Sequence, residues 1–212
     1  MIGVLRSRCI SVGLGSSGLS TTVSGVFACA SFAGTPTAAG NKALGNPQAP
    51  VRIDLYSDFQ CPGCKWLHEE TIRPLIKDYV NPGKVYLVQR EYPMPMHAHA
   101  REAACYACAA EKIGKYQVVG DQLFRTQEAW EKDGNVAGAA CSVLSAVEAG
   151  KVRALALSPE ILTMVNSDMR AGQKEALNGT PTMIITKFIR RYPVVGPVSY
   201  PVLRKFLDSL FE

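Results

Sequence analysis

The chain has 212 residues, a formal net charge of +5 and 47% hydrophobic residues. This length suits one domain with a sizeable core, and the low charged fraction of 19% excludes an intrinsically disordered chain. No uninterrupted apolar stretch of about 20 residues is present, which excludes a multi-span membrane protein. Basic residues are not clustered with aromatic ones, so the sequence gives no indication of nucleic-acid binding.

Residues 1–46 have the composition of a leader segment. They contain no acidic residue, carry arginines at positions 6 and 8, and include a short apolar run that ends in Ala28-Cys29-Ala30, a small-residue cleavage site. We therefore expect a signal for export to the periplasm or another extracytoplasmic space. Lipid attachment at Cys29, which would place the protein at a membrane, is one alternative. A disordered leader or a mis-assigned start codon is the other.

A strand–helix–strand unit follows the leader. Alternating residues over Val51–Tyr56 predict one strand, and Val85–Glu91 predicts a second. Between them, a helix opens at Cys61, and Pro74 predicts a kink in it. Such a βαβ unit is normally parallel and right-handed.

The rest of the chain has a helical block and then a second set of strands. The predicted helices of the block, which spans about 97–177, are His97–Lys115, Val119–Glu131, Val136–Glu148 and Pro159–Leu177, the last with Ser158 as its cap. Two short strands and a helix capped by Ser199 follow: Pro181–Thr186, Phe188–Val195 and Pro201–Phe211. The predicted fold class is therefore α/β: a βαβ–ββα sheet domain over residues 47–212 with an inserted helical subdomain.

Cys61 and Cys64 lie three residues apart at the start of the predicted helix, so their sulfur atoms can reach one another. The free N–H groups and the dipole of a helix N-terminus favour a thiolate on Cys61. The thiolate is the nucleophile in thiol–disulfide exchange, so we expect Cys61 to attack and the more buried Cys64 to resolve. A zinc site is the alternative, but its second pair, Cys105 and Cys108, lies in a helix-forming run rather than on a turn.

Two segments carry a family resemblance: Tyr56-Ser-Asp-Phe-Gln-Cys-Pro-Gly-Cys64 and, later, Asn178-Gly-Thr-Pro-Thr182. Together they resemble the DsbA-type thiol–disulfide oxidoreductases of bacteria, within the thioredoxin superfamily. The resemblance extends from about Ala43 to Phe211. It implies a thioredoxin fold with a helical insertion after the second strand.

The resemblance also implies an active-site loop around the dithiol. Pro62 and Gly63 would lie between the two cysteines, Pro181 would be a cis-proline against the disulfide, and Thr180 would present its backbone to a substrate peptide. A cis bond before proline costs little, and proline withdraws an N–H group from a loop of close approach. An ordinary turn before a strand is the alternative for Gly179–Pro181.

Two positions depart from the family pattern. Strongly oxidising relatives often carry His where this chain has Gly63, so we expect a milder oxidant. Relatives also often place a buried acid at the position of Leu55, and Asp54 lies on the opposite face of the strand. Asp58 is a substitute for proton handling, although it is equally suited to cap the helix.

Three further cysteines, Cys105, Cys108 and Cys141, lie in the predicted insertion. They have three interpretations: small packing residues, a structural disulfide that includes Cys141, or a second redox pair. Trp66 is expected in the core and Trp130 as a helix anchor. His97 and His99 are expected to cap or pack near the dithiol.

The sequence thus predicts an enzyme that exchanges disulfides with cysteine-containing proteins and is recharged by a redox partner protein. It requires no metal or organic cofactor, and we expect no nucleic-acid partner. A reductase or isomerase on the same scaffold, a peptide-binding module and a zinc-stabilised domain are the alternatives.

Overall fold

The computed structural model describes residues 41–212, so the predicted leader features, Cys29 included, lie outside the described residues. The centre of the fold is a parallel pair of strands, β2 (Val51–Ser57) and β3 (Val85–Glu91). In the part of the chain that is described, no helix has the length and apolar character needed to cross a membrane.

The helical connection between β2 and β3 changes its winding along its length. It consists of α1 (Pro62–Leu67), a π-helical stretch (His68–Ile72), α2 (Arg73–Leu75) and a second π-helical stretch (Ile76–Val80). Pro74 lies between the two π-helical stretches. Pro74 has no N–H to donate to the preceding turn, yet the helix continues through it to Val80, so Pro74 does not end the helix.

The sheet has five strands in the order β1-β3-β2-β4-β5. Its outer members are β1 (Ala43–Leu44), β4 (Thr182–Lys187) and β5 (Arg190–Val195). β4 runs antiparallel to β2, and β5 runs antiparallel to β4. Because β1 pairs with β3, the sheet begins before residue 47, the predicted start of the domain.

Six helices fill the segment between β3 and β4. They are α3 (Ala100–Glu111), α4 (Tyr116–Arg125), α5 (Gln127–Asp133), α6 (Val136–Cys141), α7 (Ala146–Ala156) and α8 (Pro159–Lys174). The last helix, α9 (Tyr200–Phe211), packs beside the π-helical stretch His68–Ile72 and α2. The architecture is the α/β thioredoxin fold with a helical insertion that the sequence predicts.

Two predicted helices are each divided in the structure. The helix predicted at Val119–Glu131 breaks at Thr126, whose hydroxyl donates to the Gln122 carbonyl at 2.8 Å. The helix predicted at Val136–Glu148 ends at Cys141, and α7 starts after Ser145. Ser145 and Glu148 form a capping box there, so the sequence Ser-x-x-Glu marks a helix start that the periodicity obscured.

Of the two serines predicted to cap α8 and α9, one forms a capping hydrogen bond and the other does not. The Ser158 side chain accepts from Ile161 N–H at 3.3 Å, as expected for a cap of α8. Ser199 occupies the cap position of α9, but its side chain makes no capping hydrogen bond, which corrects the prediction for that residue.

The described residues form two apolar cores, one on each side of the dithiol helix. Phe59 and Cys64 pack with the helices of the insertion, among them the alanine-rich α3. Leu67, one turn further along, belongs instead to the core between the sheet, the dithiol helix and α9. The start of α1 therefore lies at the junction of the two cores.

Candidate active site

The dithiol lies where β2 ends and the first helix begins. Cys61 is the N-cap of α1, and Pro62 occupies the first helical turn, where its missing N–H is not needed. The carbonyl of Cys61 accepts from the N–H groups of Cys64 and Lys65, both at 3.1 Å. Cys61 is partly exposed and Cys64 is 1% exposed, so solvent reaches only the first sulfur.

The surroundings of Cys61 favour its thiolate. A hydrogen bond from the Cys64 thiol, together with the Thr180 side chain and the backbone N–H groups of Cys64 and Gly63, outweighs partial burial and lowers the pKa of Cys61 from 9.0 to about 5. When protonated, the Cys61 thiol lies 3.4 Å from the Thr180 carbonyl, which accepts from it. Cys61 is therefore suited to be both a nucleophile and a leaving group near neutral pH.

The pKa of Cys64 is changed in the opposite direction to that of Cys61. Burial and the neighbouring Cys61 sulfur raise the pKa of Cys64 well above 9.0, against smaller effects of the Ser57 side chain and the Asp58 N–H group. That N–H group donates to Cys64 Sγ at 3.4 Å. The pair therefore divides into one exposed thiolate and one buried thiol.

The Thr180–Pro181 peptide bond is cis, and Pro181 lies against the dithiol turn. A Cβ atom at Gly63 would lie 3.4 Å from Pro181 Cδ, 3.7 Å from Cys61 Sγ and 3.8 Å from Pro197 Cγ. A side chain at position 63 would therefore lie beside both the sulfur and the proline loop. Glycine leaves the approach to Cys61 open.

Asp58 joins two loops beneath the dithiol. Its side chain is fully buried, and its carboxylate accepts from Gln60 N–H at 2.7 Å, from Met94 N–H at 2.8 Å and from His97 Nδ1 at 2.7 Å. The contact between Asp58 and the sulfur atoms is made by its backbone N–H, not by the carboxylate. The alternative role as helix cap is wrong, because Cys61 occupies that position.

The comparisons with known proteins agree with this geometry. The thioredoxin family model matches residues 37–209, most of the chain. The chain belongs to the thioredoxin family. A probable disulfide bond formation protein D of Bacillus anthracis is 25% identical over 155 residues, which cover 68% of this chain and 69% of that protein.

Solved structures share the fold of this chain. The crystal structure of Pseudomonas aeruginosa DsbA2 is 25% identical with a TM-score of 0.60, and the match covers 84% of this chain and 96% of the other. Wolbachia pipientis alpha-DsbA1 superimposes with a TM-score of 0.66 at 18% identity, covering 83% and 93%. The protein is a DsbA-type thiol–disulfide oxidoreductase of the thioredoxin family.

The position where DsbA-type relatives often carry an acid is apolar here. Leu55 is 4% exposed within the sheet core. Asp54, its neighbour, is held on the other face by Arg52 at 2.6 Å and Arg90 at 3.0 Å. Asp54 therefore forms an ion-pair cluster on the sheet and does not serve the dithiol of this thioredoxin-family protein.

A buried carboxylate is nevertheless present, on β3. Glu91 is 1% exposed, accepts from the Tyr116 hydroxyl at 2.6 Å and lies 3.8 Å from Lys42 Nζ. Burial raises the pKa of Glu91 from 4.5 to about 7, although Lys42 and Tyr116 oppose the change. Glu91 is not among the site residues that the sequence predicts. The signal was the alternation along β3, which places Glu91 on the same buried face as Val85 and Leu87.

Lys42 connects Glu91 to the insertion of this DsbA-type fold. Its ammonium group forms an ion pair with Asp168 of α8 and contacts Cys108 Sγ at 3.5 Å. Burial opposes the charge of Lys42, but Glu91, Cys108 and Asp168 outweigh it and raise its pKa. Arg90 also reaches Asp168, at 3.0 Å. The segment before the predicted domain start therefore helps to hold the sheet to the insertion.

All five cysteines of the described residues are free thiols, so the structure represents the reduced dithiol. The three cysteines that are not part of the dithiol lie in different surroundings. Cys108 faces Lys42, Cys141 Sγ lies 4.0 Å from the Ala149 carbonyl, and Cys105 is buried on α3. Of the three interpretations given for Cys105, Cys108 and Cys141, the structure has the first, small packing residues: all three are free thiols buried in the core of the insertion.

The two tryptophans of the described residues differ in exposure. Trp66 is 43% exposed, which corrects its expected place in the core, because position 66 lies on the outer face of α1. Trp130 is buried, and its indole donates to the Leu123 carbonyl at 2.8 Å. Within residues 41–212, no group of three or more His, Cys, Asp or Glu side chains is arranged to hold a metal ion.

Loop residues that the sequence did not single out also fix the dithiol. The Gln60 amide oxygen accepts from His99 N–H at 2.8 Å, and Gln127 donates to the Phe59 carbonyl at 2.6 Å. Both bonds join the loop before Cys61 to the insertion. They connect parts of the chain about 40 and 70 residues apart, so local sequence patterns could not reveal them.

Proposed function

We propose that this enzyme oxidises pairs of cysteines in exported proteins. The observation that carries the proposal is the asymmetry of the dithiol. Cys61 is accessible and has a pKa of about 5, whereas Cys64 is buried and has a raised pKa. A dithiol with one stabilised thiolate favours its reduced form, which makes the disulfide a good oxidant.

The first step joins the substrate to Cys61. A substrate thiolate attacks Cys61 Sγ, the new sulfur–sulfur bond forms, and the Cys61–Cys64 bond breaks. The electron pair of that bond goes to Cys64. Because the pKa of Cys64 is raised, this sulfur takes up a proton, and the Ser57 side chain and Asp58 N–H are its neighbouring hydrogen-bond partners.

The second step releases the oxidised substrate. A second thiolate of the substrate attacks the substrate sulfur of the mixed disulfide, and the substrate disulfide forms. Cys61 leaves with the electron pair as a thiolate. Its low pKa makes it a good leaving group, so release is favoured over accumulation of the mixed disulfide. Two substrate thiols are oxidised and the two enzyme cysteines are reduced.

The loop at Pro181 supports the binding of an extended substrate segment. Its backbone lies beside the exposed sulfur, and Gly63 leaves that side open. Two exposed apolar side chains lie on the elements that carry the site. Trp66 on α1 is 43% exposed, and Val195, which is 75% exposed, precedes Gly196, whose N–H donates to the Pro181 carbonyl at 2.8 Å. Apolar contacts of this kind suit unfolded polypeptide, because such chains expose their hydrophobic residues.

We further propose that the protein acts outside the cytoplasm and is reoxidised by a separate redox protein. The leader composition of residues 1–46 supports export. The name of the Bacillus anthracis relative, a probable disulfide bond formation protein, supports the oxidising direction. The proposed reaction needs only the two sulfur atoms and no organic cofactor or metal.

The reduction potential of the Cys61–Cys64 pair, measured against glutathione, tests the proposal. The variant used has Cys105, Cys108 and Cys141 replaced by Ala, and the wild-type chain is followed in parallel by mass spectrometry in case that variant is unstable. A potential above about −180 mV supports an oxidase. A potential near about −270 mV identifies a reductase or isomerase instead. A pair that forms no disulfide contradicts the enzyme assignment.

A further inference from the structure

The turn between β4 and β5 exposes two large apolar side chains. Phe188 is 83% exposed and Ile189 is 95% exposed, and of the large apolar residues described these are the two most exposed. They are the two residues between the paired Lys187 and Arg190, so both lie at the end of the hairpin. We call this two-residue turn the apolar tip.

The backbone of the apolar tip is not the one its residues prefer. Lys187 pairs with Arg190 across the hairpin, which leaves a two-residue turn, and Phe188 has a φ of 54°. Hairpin turns with a positive φ at the first position favour Gly there, and a bulky residue in that conformation is strained. Local backbone preference therefore does not explain an aromatic residue at this site.

Cations surround the apolar tip. Lys187 Nζ lies 5.7 Å from the ring centre of Phe188 and the same distance from that of Phe211, and Lys84 Nζ is also 5.7 Å from the Phe211 ring. Arg190 is exposed next to the tip. Among the described residues, no carboxylate forms an ion pair with Lys84, Lys187 or Arg190. The acidic residue nearest in sequence to Phe211, the ring that both lysines contact, is Glu212.

We propose that the apolar tip is a contact site for an anionic lipid surface. Phe188 and Ile189 enter the boundary between headgroups and acyl chains, and Lys84, Lys187 and Arg190 attract anionic headgroups. Large apolar side chains between cations are the composition of peripheral membrane contacts. Such a contact requires no membrane-spanning helix.

The shape of the apolar tip distinguishes a lipid surface from a protein partner. A stable protein interface buries about 800 Å² on each partner, and a convex turn of two residues offers much less. A second copy could add to β5, which is an edge strand. However, Arg190, Arg191 and Pro193 lie on that strand, and charge and proline are the features that protect edges from pairing.

The register of the sheet places the apolar tip away from the dithiol. Tyr56, near the end of β2 that leads to Cys61, pairs with Thr182, and Val51 at the other end pairs with Lys187. The strands between these pairs span about 17 Å. A protein that rests on lipid through the tip therefore presents its dithiol to proteins in the surrounding solution.

Binding of the full-length, unlipidated chain to vesicles tests the proposal. Vesicles of equal parts phosphatidylcholine and phosphatidylglycerol are compared with vesicles of phosphatidylcholine alone. The test variant is Phe188→Gly/Ile189→Ser, which supplies the glycine that the turn prefers. The matched control, Val147→Ser/Leu157→Ser, removes two side chains of similar exposure, 69% and 81%, from the insertion. All variants share residues 1–40, so any contribution of that segment cancels.

We expect the tip variant to bind anionic vesicles about tenfold more weakly than the wild type, while the control binds as the wild type does. The tip variant should unfold at an equal or higher temperature, because the strain at position 188 is relieved. Lys187→Gln/Arg190→Gln should weaken binding to anionic vesicles only. Equal vesicle binding by the wild type and the tip variant overturns the proposal. So does a dimer in sedimentation velocity that the tip variant abolishes, since a second copy is then the occupant.

Discussion

Asp58 and His97 are joined by a hydrogen bond of 2.7 Å between the loop that precedes the dithiol and the segment that enters the insertion. The same carboxylate accepts from the N–H of Met94, so Asp58 holds the two segments together from a fully buried position. The geometry of the dithiol loop therefore depends on a residue whose carboxylate does not contact either sulfur.

Asp58→Asn should destabilise the protein by about 2 kcal/mol, because an amide group replaces one acceptor oxygen and leaves a buried donor without its partner. Urea unfolding of the reduced protein measures the change in free energy. Asp133→Asn is the matched control, since that exposed carboxylate also accepts from a backbone N–H at 2.8 Å. Equal destabilisation by the two substitutions would show that burial of Asp58 contributes nothing.

Cys61 should react with iodoacetamide with an apparent midpoint near pH 5, because the thiolate is the reactive form and the pKa is lowered from 9.0 to about 5. The folded, reduced state binds this proton less readily than the unfolded chain. The stability of the reduced protein therefore rises with pH between about 5 and 9 and loses this contribution as the pH falls through 5.

Thr180→Val should move that midpoint upward, since the Thr180 side chain is one of the groups that stabilise the thiolate. The cis bond and the carbonyl at position 180 remain in this variant, so the loop itself is not removed. Modification rates followed by mass spectrometry across the pH range give the midpoint. An unchanged midpoint would assign the lowered pKa to Cys64 and the helix terminus alone.

Cys64→Ala should trap the mixed disulfide with a substrate peptide that contains one cysteine. Cys61 remains accessible in this variant, but the resolving thiol is absent. Non-reducing gels and mass spectrometry measure the adduct after the variant is mixed with a peptide activated as a mixed disulfide. Cys141→Ala, which removes a buried thiol of the insertion, should release the same peptide as fast as the wild type. Rapid release from Cys64→Ala would assign resolution to another cysteine.

Glu91 should make the protein less stable as the pH rises from about 4.5 to about 7, because the folded state holds the proton on a group whose pKa is raised over that range. The full effect of such a shift is about 3 kcal/mol. Glu91→Gln should flatten this part of the profile. The measurement uses the oxidised protein, in which Cys61 does not titrate, and Glu131→Gln serves as an exposed control that keeps the wild-type profile. A profile that Glu91→Gln leaves unchanged would contradict the prediction.

The dithiol could be predicted from the sequence because its main determinants are local. Cys61, Pro62 and Cys64 occupy one helical turn, and the end of the preceding strand is marked by alternation. The fold could be predicted for a similar reason, since the strand and helix patterns survive with their order intact. The breaks at Thr126 and Ser145 were missed because side-chain hydrogen bonds interrupt helices whose apolar periodicity continues through them.

The support of the site could not be predicted in the same way. Glu91 is surrounded by Lys42, Tyr116 and Asp168, which come from three distant segments. Burial of a charged residue at the end of a strand is decided by which segments cover it, and that is a property of the tertiary structure. The alternation of β3 indicates the face on which Glu91 lies but not the groups that it meets.

The division of α1 between two cores has a consequence for how the fold can vary. Phe59 and Cys64 are covered by the insertion, whereas Leu67 is covered by the sheet and α9. A version of the chain shortened by deletion of the insertion would keep all five strands and the last helix. It would also expose the resolving sulfur to water and oxidants. The inserted helices therefore bury the resolving cysteine, so they cannot be exchanged as an independent module.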